Sequence, residues 1–414
     1  MTDGAAAGGA PLRVGLVGLG SMGRNHLRVI SGHADTVLAA VADPDAAALG
    51  TATAQTGAAG FDDPLAMIRE AAVDAVVIAA PTTAHVPLAL AAIERGVPVL
   101  VEKPLAATHA EALRIVAAGR AAGVPVQVGH VERYNPAVLR LGRLLREGWL
   151  TKIYAIVSRR AGPFPARIRD VGVTVDLATH DADMLSWIAG ERPTRVYAEL
   201  AQRIHATHED LLFGLLHFPS GARGMLDVNW LTPAKRRQLT VIGEEGMFEL
   251  DYLTQRLTFT KSDLASGELI AGYAPTFTGD VLEIDVETHE PLKAQLDAFV
   301  HAIRTGERPY VDGDDGAWAV RIATGLLEAA STVRPVDLTG DGVSGGHESS
   351  RARPWAPRCS VDRSPWPPAP ARMPRPAQLA RGRARRGPPA RSPSSAPARW
   401  ACRWRRSSRP TAGP

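Results

Sequence analysis

The stretch from Leu12 to Gly23, LRVGLVGLGSMG, constrains this chain more than any other. Val14 to Val17 is a short apolar run of the kind that forms a buried strand, and Gly18, Gly20 and Gly23 follow it as G-x-G-x-x-G where strand gives way to helix. Each glycine answers a different need. The first permits a tight turn, the second lets a pyrophosphate approach the backbone, and the third lets the helix pack close to the strand, while the helix N-terminus faces the anion. A second apolar run, Thr36 to Ala42, ends at Asp43, 20 residues beyond Gly23, where a carboxylate grips a ribose 2'-hydroxyl. Turn and carboxylate together read as a dinucleotide cradle.

Strand-like and helix-like segments alternate through the first 130 residues, the mark of a parallel sheet covered by helices. The expected fold class is α/β, beginning with a Rossmann doubly wound parallel sheet over 11–131. Ligands in such sheets bind beyond the carboxyl ends of the strands. Gly18, Asp43, Pro81 and Glu102-Lys103-Pro104 all fall at those ends. After His130 the pattern changes to a helix from Pro136 to Arg146, a strand to Arg160, an irregular basic stretch AGPFPARIRD, and a helix from about Val171 to Ile188. Closely spaced strand-like segments follow up to Thr260, which predicts a mostly antiparallel sheet in a second domain over 132–338. Ser262 to Glu290 reads as a long loop, and two amphipathic helices, Leu292 to Arg304 and Gly316 to Val333, are expected to close that domain.

From about residue 339 the texture turns to Pro, Arg, Ala, Ser and Trp without period, and 339–414 is expected to be a disordered tail. The net charge of +4 averages two regions. From Asp341 onward there are 16 Arg, no Lys and 3 acidic residues, leaving 31 basic against 40 acidic residues in the body, which is therefore mildly acidic. The tail reads either as an arginine-rich arm or as an accidental extension. With 5 Lys against 42 Arg in the chain, the arginine bias is compositional, and nucleic acid is not expected as a partner. The N-terminus, MTDGAAAGGAP, has neither a basic start nor an apolar core, so no secretory signal is expected. The uncharged run Ala75 to Ile93 is interrupted at Pro81, Thr82, Thr83, His85 and Pro87, and reads as strand, turn and helix rather than a membrane span. Both cysteines, Cys359 and Cys402, lie late in the chain, so no disulfide framework or cysteine metal site is implied, and the default setting is cytoplasmic.

Lys103, just past the strand that ends at Val101, can point its ammonium into the cofactor cleft and hydrogen-bond an alcohol undergoing oxidation. Asp176 and His180 stand at i and i+4 in VDLATHDAD, so a helix would present them side by side. A histidine titrates near neutrality and accepts a hydroxyl proton, and a carboxylate one turn away would orient it and stabilise its charged form. His205 and His208 in HATHED raise a metal question, but strand or loop geometry would splay them, and no metal is expected.

GLGSMG, Asp43, EKP and D-x-x-x-H occur in an order and spacing that resembles the Gfo/Idh/MocA oxidoreductases, the glucose-fructose oxidoreductase and inositol dehydrogenase family, over roughly Leu12 to Leu338. The resemblance implies a second α/β domain whose open sheet serves as an oligomer interface, in a homo-dimer or homo-tetramer, and NAD(P)-dependent hydride transfer at a sugar or cyclitol carbon. It further implies that Lys103 polarises the substrate hydroxyl, His180 acts as acid/base and Asp176 supports them. Gly18, Gly20, Ser21, Met22, Gly23, Asp43, Pro81, Thr82, His85, Glu102 and Lys103 would line the cofactor. Asp43 favours NAD, since a carboxylate repels a 2'-phosphate, with NADP the alternative. The stretches GHVERYNPAV and RRAGPFPARIRDVGVTVDLATHDAD look most like the branch that oxidises the 3-hydroxyl of UDP-N-acetylglucosamine. Arg160, Arg167 and Arg169 would then meet a diphosphate, while an unphosphorylated inositol or sugar is the other substrate reading. A dinucleotide-binding regulator without turnover is the alternative of another class. Such a protein has no chemical need for both Lys103 and His180.

Overall fold

The computed structural model describes residues 10–165, 171–262 and 280–339. The tail, and with it Cys359 and Cys402, lies outside the described residues, as do Arg167 and Arg169.

Six parallel strands form the first sheet in the order β3-β2-β1-β4-β5-β6. They are β1 (Leu12–Val17), β2 (Thr36–Ala42), β3 (Ala59–Phe61), β4 (Ala75–Ile78), β5 (Val99–Val101) and β6 (Val126–Val128). The central strands are continuous apolar runs because helices cover both faces of a parallel sheet. The helices are α1 (Ser21–Ser31), α2 (Ala46–Thr56), α3 (Pro64–Glu70), α4 (Thr82–Glu94) and α5 (His109–Ala122). Local chemistry sets several of their ends. Asp45 caps α2 by accepting from the amides of Ala47 and Ala48, and Thr108 with Glu111 forms a capping box on α5. The edge strand β3 was not expected from the sequence: it is three residues long, largely exposed and built around Gly60.

The second sheet has nine strands in the order β14-β13-β12-β11-β7-β10-β9-β8-β15. These are β7 (Ile153–Ala161), β8 (Arg195–Ala201), β9 (Leu211–His217), β10 (Arg223–Asn229), β11 (Arg236–Gly243), β12 (Gly246–Asp251), β13 (Arg256–Lys261), β14 (Val281–Ile284) and β15 (Val336–Asp337). Every neighbouring pair is antiparallel except β10 with β7. One face packs on α6 (Pro136–Arg146), α7 (Thr179–Ala189) and α9 (Gly313–Thr332) through a core that includes Leu144, Leu185, Leu226, Phe248 and Leu326. The other face is open, and strict alternation along β9 and β10 places Phe213, Leu215 and Met225 on it. The region expected to be a loop between Ser262 and Glu290 contains β14, whose short, exposed edge position leaves no alternation to read.

A second departure concerns α8 (Pro291–Thr305), expected to close the second domain. Its apolar stripe of Leu292, Leu296, Phe299 and Val300 packs instead with Val14, Leu16, Leu27 and Ile30 of the first. Ion pairs tie it down there: His33 to Asp297, Arg28 to Glu290, and Arg304 to Asp35. Helix α9 serves both cores, with Ala317 in the first and Ile322, Leu326 and Ala329 in the second. No helix of the described residues is long and apolar enough to cross a membrane.

Candidate active site

At the glycine turn, Gly18 adopts φ +89°, and a Cβ there would stand 2.6 Å from the carbonyl oxygen of Ala79. A Cβ on Gly23 would lie 1.9 Å from the Gly18 carbonyl oxygen, so the third glycine is fixed by how closely α1 leaves the turn. Gly20 differs, because a Cβ there meets nothing within 4 Å. Its neighbourhood is open space at the N-terminus of α1, which has no side-chain cap and no acidic residue in its first turn, with Ser21 exposed and Met22 half-buried. Asp43 braces this turn from the end of β2: one carboxylate oxygen accepts the Leu19 amide at 2.6 Å and the other accepts the Asp45 amide at 2.8 Å. Uncapped helix amides beneath an unfilled space fit a dinucleotide pyrophosphate.

The expected cofactor contacts divide into two sets. Pro81 and Thr82 stand at least partly exposed at the start of α4. His85 is buried, with Nδ1 2.9 Å from the Pro104 carbonyl oxygen and Nε2 2.9 Å from that of Ala80, so it braces two loops rather than lining the cleft. Burial holds its imidazole below the ordinary value despite these carbonyls. Glu102 is also turned inward. Its carboxylate meets His26 Nε2 of α1 at 2.7 Å, and both residues are buried. Burial alone would raise the Glu102 carboxyl, but the hydrogen bond and charge of His26, with Lys103 alongside, bring it below the ordinary value. The other Glu102 oxygen accepts the Lys103 amide at 3.2 Å. Gly129 makes room for this, since a Cβ there would fall 2.8 Å from the carboxylate.

Lys103, whose peptide bond to Pro104 is cis, extends its side chain from this fixed base to the second domain. Its Nζ donates to the Asp176 carbonyl at 2.7 Å and to the Asp176 carboxylate at 3.0 Å. Asp176 lies in a π-turn, Thr174–Ala178, that runs directly into α7. Glu209 secures the start of this turn by accepting the Thr174 amide at 3.0 Å, and a Cβ on Gly172 would collide with that carboxylate. The wide turn changes the expected pairing. Asp176 is committed to Lys103 and has no hydrogen bond to His180, four residues on.

His180 is half-buried at the start of α7, with Nδ1 buried and unpartnered, so Nε2 is the ring nitrogen on the open side. Burial, with Lys103, Arg160, His130 and Arg237 around it, pushes its imidazole well below the ordinary value and keeps it neutral near pH 7. His130, just past β6, lies edge-on to it with ring centroids 6.4 Å apart. Sequence reasoning missed His130 as a neighbour of His180, since only the packing of the short turn Val131–Tyr134, which His130 begins, against α7 brings them together.

Arg160, expected to meet a diphosphate, faces inward. Its guanidinium pairs with Asp181 at 2.9 Å and Glu132 at 3.0 Å and lies over the Tyr252 ring. At 3% exposure it cannot serve as a surface cation. Elsewhere, His205 is buried against Trp230 and accepts the amides of Thr207 and His208, which makes it a turn brace. No group of three or more possible metal ligands occurs among the described residues.

Comparison with known proteins agrees with the fold. Residues 12–130 match the profile of an oxidoreductase family with an NAD-binding Rossmann fold, Gfo/Idh/MocA, and residues 138–249 match a Gfo/Idh/MocA C-terminal domain. The chain is 30% identical over 342 residues to inositol 2-dehydrogenase 2 of Saccharopolyspora erythraea, covering 79% of this chain and 96% of that enzyme. It is 26% identical over 306 residues to UDP-N-acetylglucosamine 3-dehydrogenase of Acidithiobacillus ferrooxidans, covering 74% of this chain and 93% of that one. The solved structure of the latter superposes with a TM-score of 0.69 at 24% identity, over 78% of this chain and 99% of that chain. A cradle for NAD on one sheet and a lysine, carboxylate and histidine gathered where it meets the next thus accompany sequence kinship over nearly the whole described body, and the chain belongs to the Gfo/Idh/MocA family of NAD-binding oxidoreductases.

Proposed function

We propose that the chain oxidises a secondary hydroxyl of a ring sugar or cyclitol, with a nucleotide sugar oxidised at its 3-hydroxyl as the first reading. One observation carries it: Lys103 and Asp176, 73 residues apart in sequence, meet beyond the end of β5 with a neutral histidine four residues further on. Bound NAD supplies the hydride acceptor. Lys103, anchored on Asp176, donates a hydrogen bond to the substrate hydroxyl and favours its alkoxide character. His180 takes the hydroxyl proton at Nε2, a task that requires the neutral ring its surroundings maintain. Asp43 selects NAD over NADP at the ribose. The 26% identity with a UDP-N-acetylglucosamine 3-dehydrogenase supports the first substrate reading. An inositol or free sugar is the second, supported by the 30% identity to an inositol 2-dehydrogenase over nearly its full length.

The open face of the second sheet is our candidate for a homo-oligomer interface. Tyr197, Leu215, Met225 and Val157 form one row across four strands, flanked by the row Arg195, His217, Arg223 and the row Glu199, Phe213, Asp227, Arg159. An apolar centre between a basic and a mixed border suits a two-fold partner.

The test is NADH formation by purified protein with UDP-N-acetylglucosamine, UDP-glucose, myo-inositol and free hexoses, each with NAD or NADP. Turnover confined to UDP-sugars selects the first reading, and turnover of inositol or free sugar the second. NAD binding without turnover of any ring alcohol would reject both in favour of a non-catalytic regulator.

A further inference from the structure

Three cations bear on His180: Lys103, Arg160 and Arg237. Lys103 is paired with Asp176, and Arg160 with Asp181 and Glu132. Arg237 has no carboxylate within ion-pair distance among the described residues. One of its terminal nitrogens donates to the carbonyl oxygens of Ala161 and Arg236, both at 2.8 Å, which pins the guanidinium across the end of β7 and leaves Nε and the other terminal nitrogen free. Register fixes the side on which it lies. Arg237 of β11 stands directly opposite Arg160 of β7, and cross-strand partners project to the same face. Leu239 and Val241 continue that alternation into the core, so Arg237 is the last residue of the helix-covered face, at the edge where His180 opens.

We propose that Arg237 is the oxyanion anchor of the substrate pocket, binding a phosphate or carboxylate carried by the sugar whose hydroxyl is oxidised at His180. The proposal rests on the dehydrogenase reading of the site and narrows its substrate class to an anionic sugar. A guanidinium presents a flat fork of donors that matches two oxygens of one anion, and the free edge of Arg237 retains that fork. Its charge is also poorly accommodated as it stands: burial, with Arg160 beside it, lowers its pKa to about 10, and a bound anion relieves both effects. Lys235, exposed and just before β11, adds to the positive rim. The sequence placed this role on Arg160, Arg167 and Arg169, of which Arg160, one strand away, lies within the described residues. The fold places the carboxylates on Arg160 and leaves its cross-strand partner with carbonyls.

The experiment is calorimetric titration of UDP, and separately of glucuronate, into protein saturated with NADH, so that the pyrophosphate cradle is already filled. Wild type, Arg237→Gln and Arg237→Lys are compared. The expected result is that wild type binds at least one of the two ligands, that Arg237→Gln weakens that binding by on the order of tenfold or more, and that Arg237→Lys falls between, with NADH affinity equal in all three. Binding of UDP alone identifies a phosphate, of glucuronate alone a carboxylate. Absence of binding for both ligands, or equal binding by wild type and Arg237→Gln, overturns the proposal. Failure of wild type to bind NADH would instead overturn the dehydrogenase reading on which it rests.

Discussion

At the scale of single residues, the site separates groups that bind from groups that react. Lys103→Ala and His180→Ala are each expected to lower kcat by about 10²-fold or more while leaving NADH affinity nearly unchanged, because neither is part of the glycine turn. Fluorescence titration with NADH beside turnover assays measures this, and loss of NADH binding in His180→Ala would count against the assignment. The acid limb of the kcat/KM profile for alcohol oxidation should lie below the ordinary histidine value of 6.5, since the surroundings of His180 disfavour its protonated form. Asp43→Ala should relax the preference for NAD over NADP, and unchanged selectivity would reject its ribose role. Much of this was legible in the sequence because it rests on local backbone demands: Gly18 needs its positive φ, Gly23 its missing Cβ, and Asp43 a fixed distance from both. The inward turn of Glu102 and the ion pairs of Arg160 were not legible. Each depends on a partner set by folding, His26 in one case, Asp181 and Glu132 in the other.

At the scale of elements, the His26–Glu102 pair joins the helix under the cofactor turn to the loop that carries Lys103. His26→Ala leaves a buried carboxylate without its partner, a loss of about 3 kcal/mol, and should lower kcat through a loosened Lys103. Urea unfolding gives the first quantity. His26→Gln, which keeps a donor, should recover much of both, and equal damage from the two variants would mean that packing rather than the hydrogen bond matters. The elements the sequence failed to predict share a physical cause. β3 and β14 are short edge strands with little to bury, and the π-turn at Thr174–Ala178 has no periodicity of its own, being set by Glu209 at one end and Lys103 at the other. Helix α8 was legible as an amphipathic helix, yet its stripe carries no label for the sheet it will cover.

At the scale of the whole molecule, four histidines among the described residues have imidazoles held below the ordinary value: His85, His130 and His180 chiefly by burial, and His217 by partial burial with Arg223 and Arg195 beside it. At His85, His130 and His180 the unfolded chain takes up protons as pH falls below 6.5 and the folded chain does not, so stability rises with pH there and declines on acidification. The decline is about 1.4 kcal/mol per pH unit for each of these three until the folded-state value is reached. Melting temperatures between pH 7 and pH 5 measure this, and a flat profile would contradict the burial of these rings. The open sheet face makes a separate prediction. Phe213→Asp with Leu215→Asp should shift the protein toward monomer in sedimentation while leaving NADH binding intact, and an unchanged sedimentation coefficient would remove that face as the interface.

Helix α9, which contributes to both cores, has a mechanical consequence. A hinge between the two sheets would have to bend a continuous 20-residue helix. The shared helix therefore resists relative motion of the cofactor lobe and the substrate lobe, and it helps to set the distance between Lys103 on one and His180 on the other when the chain folds rather than when a ligand arrives.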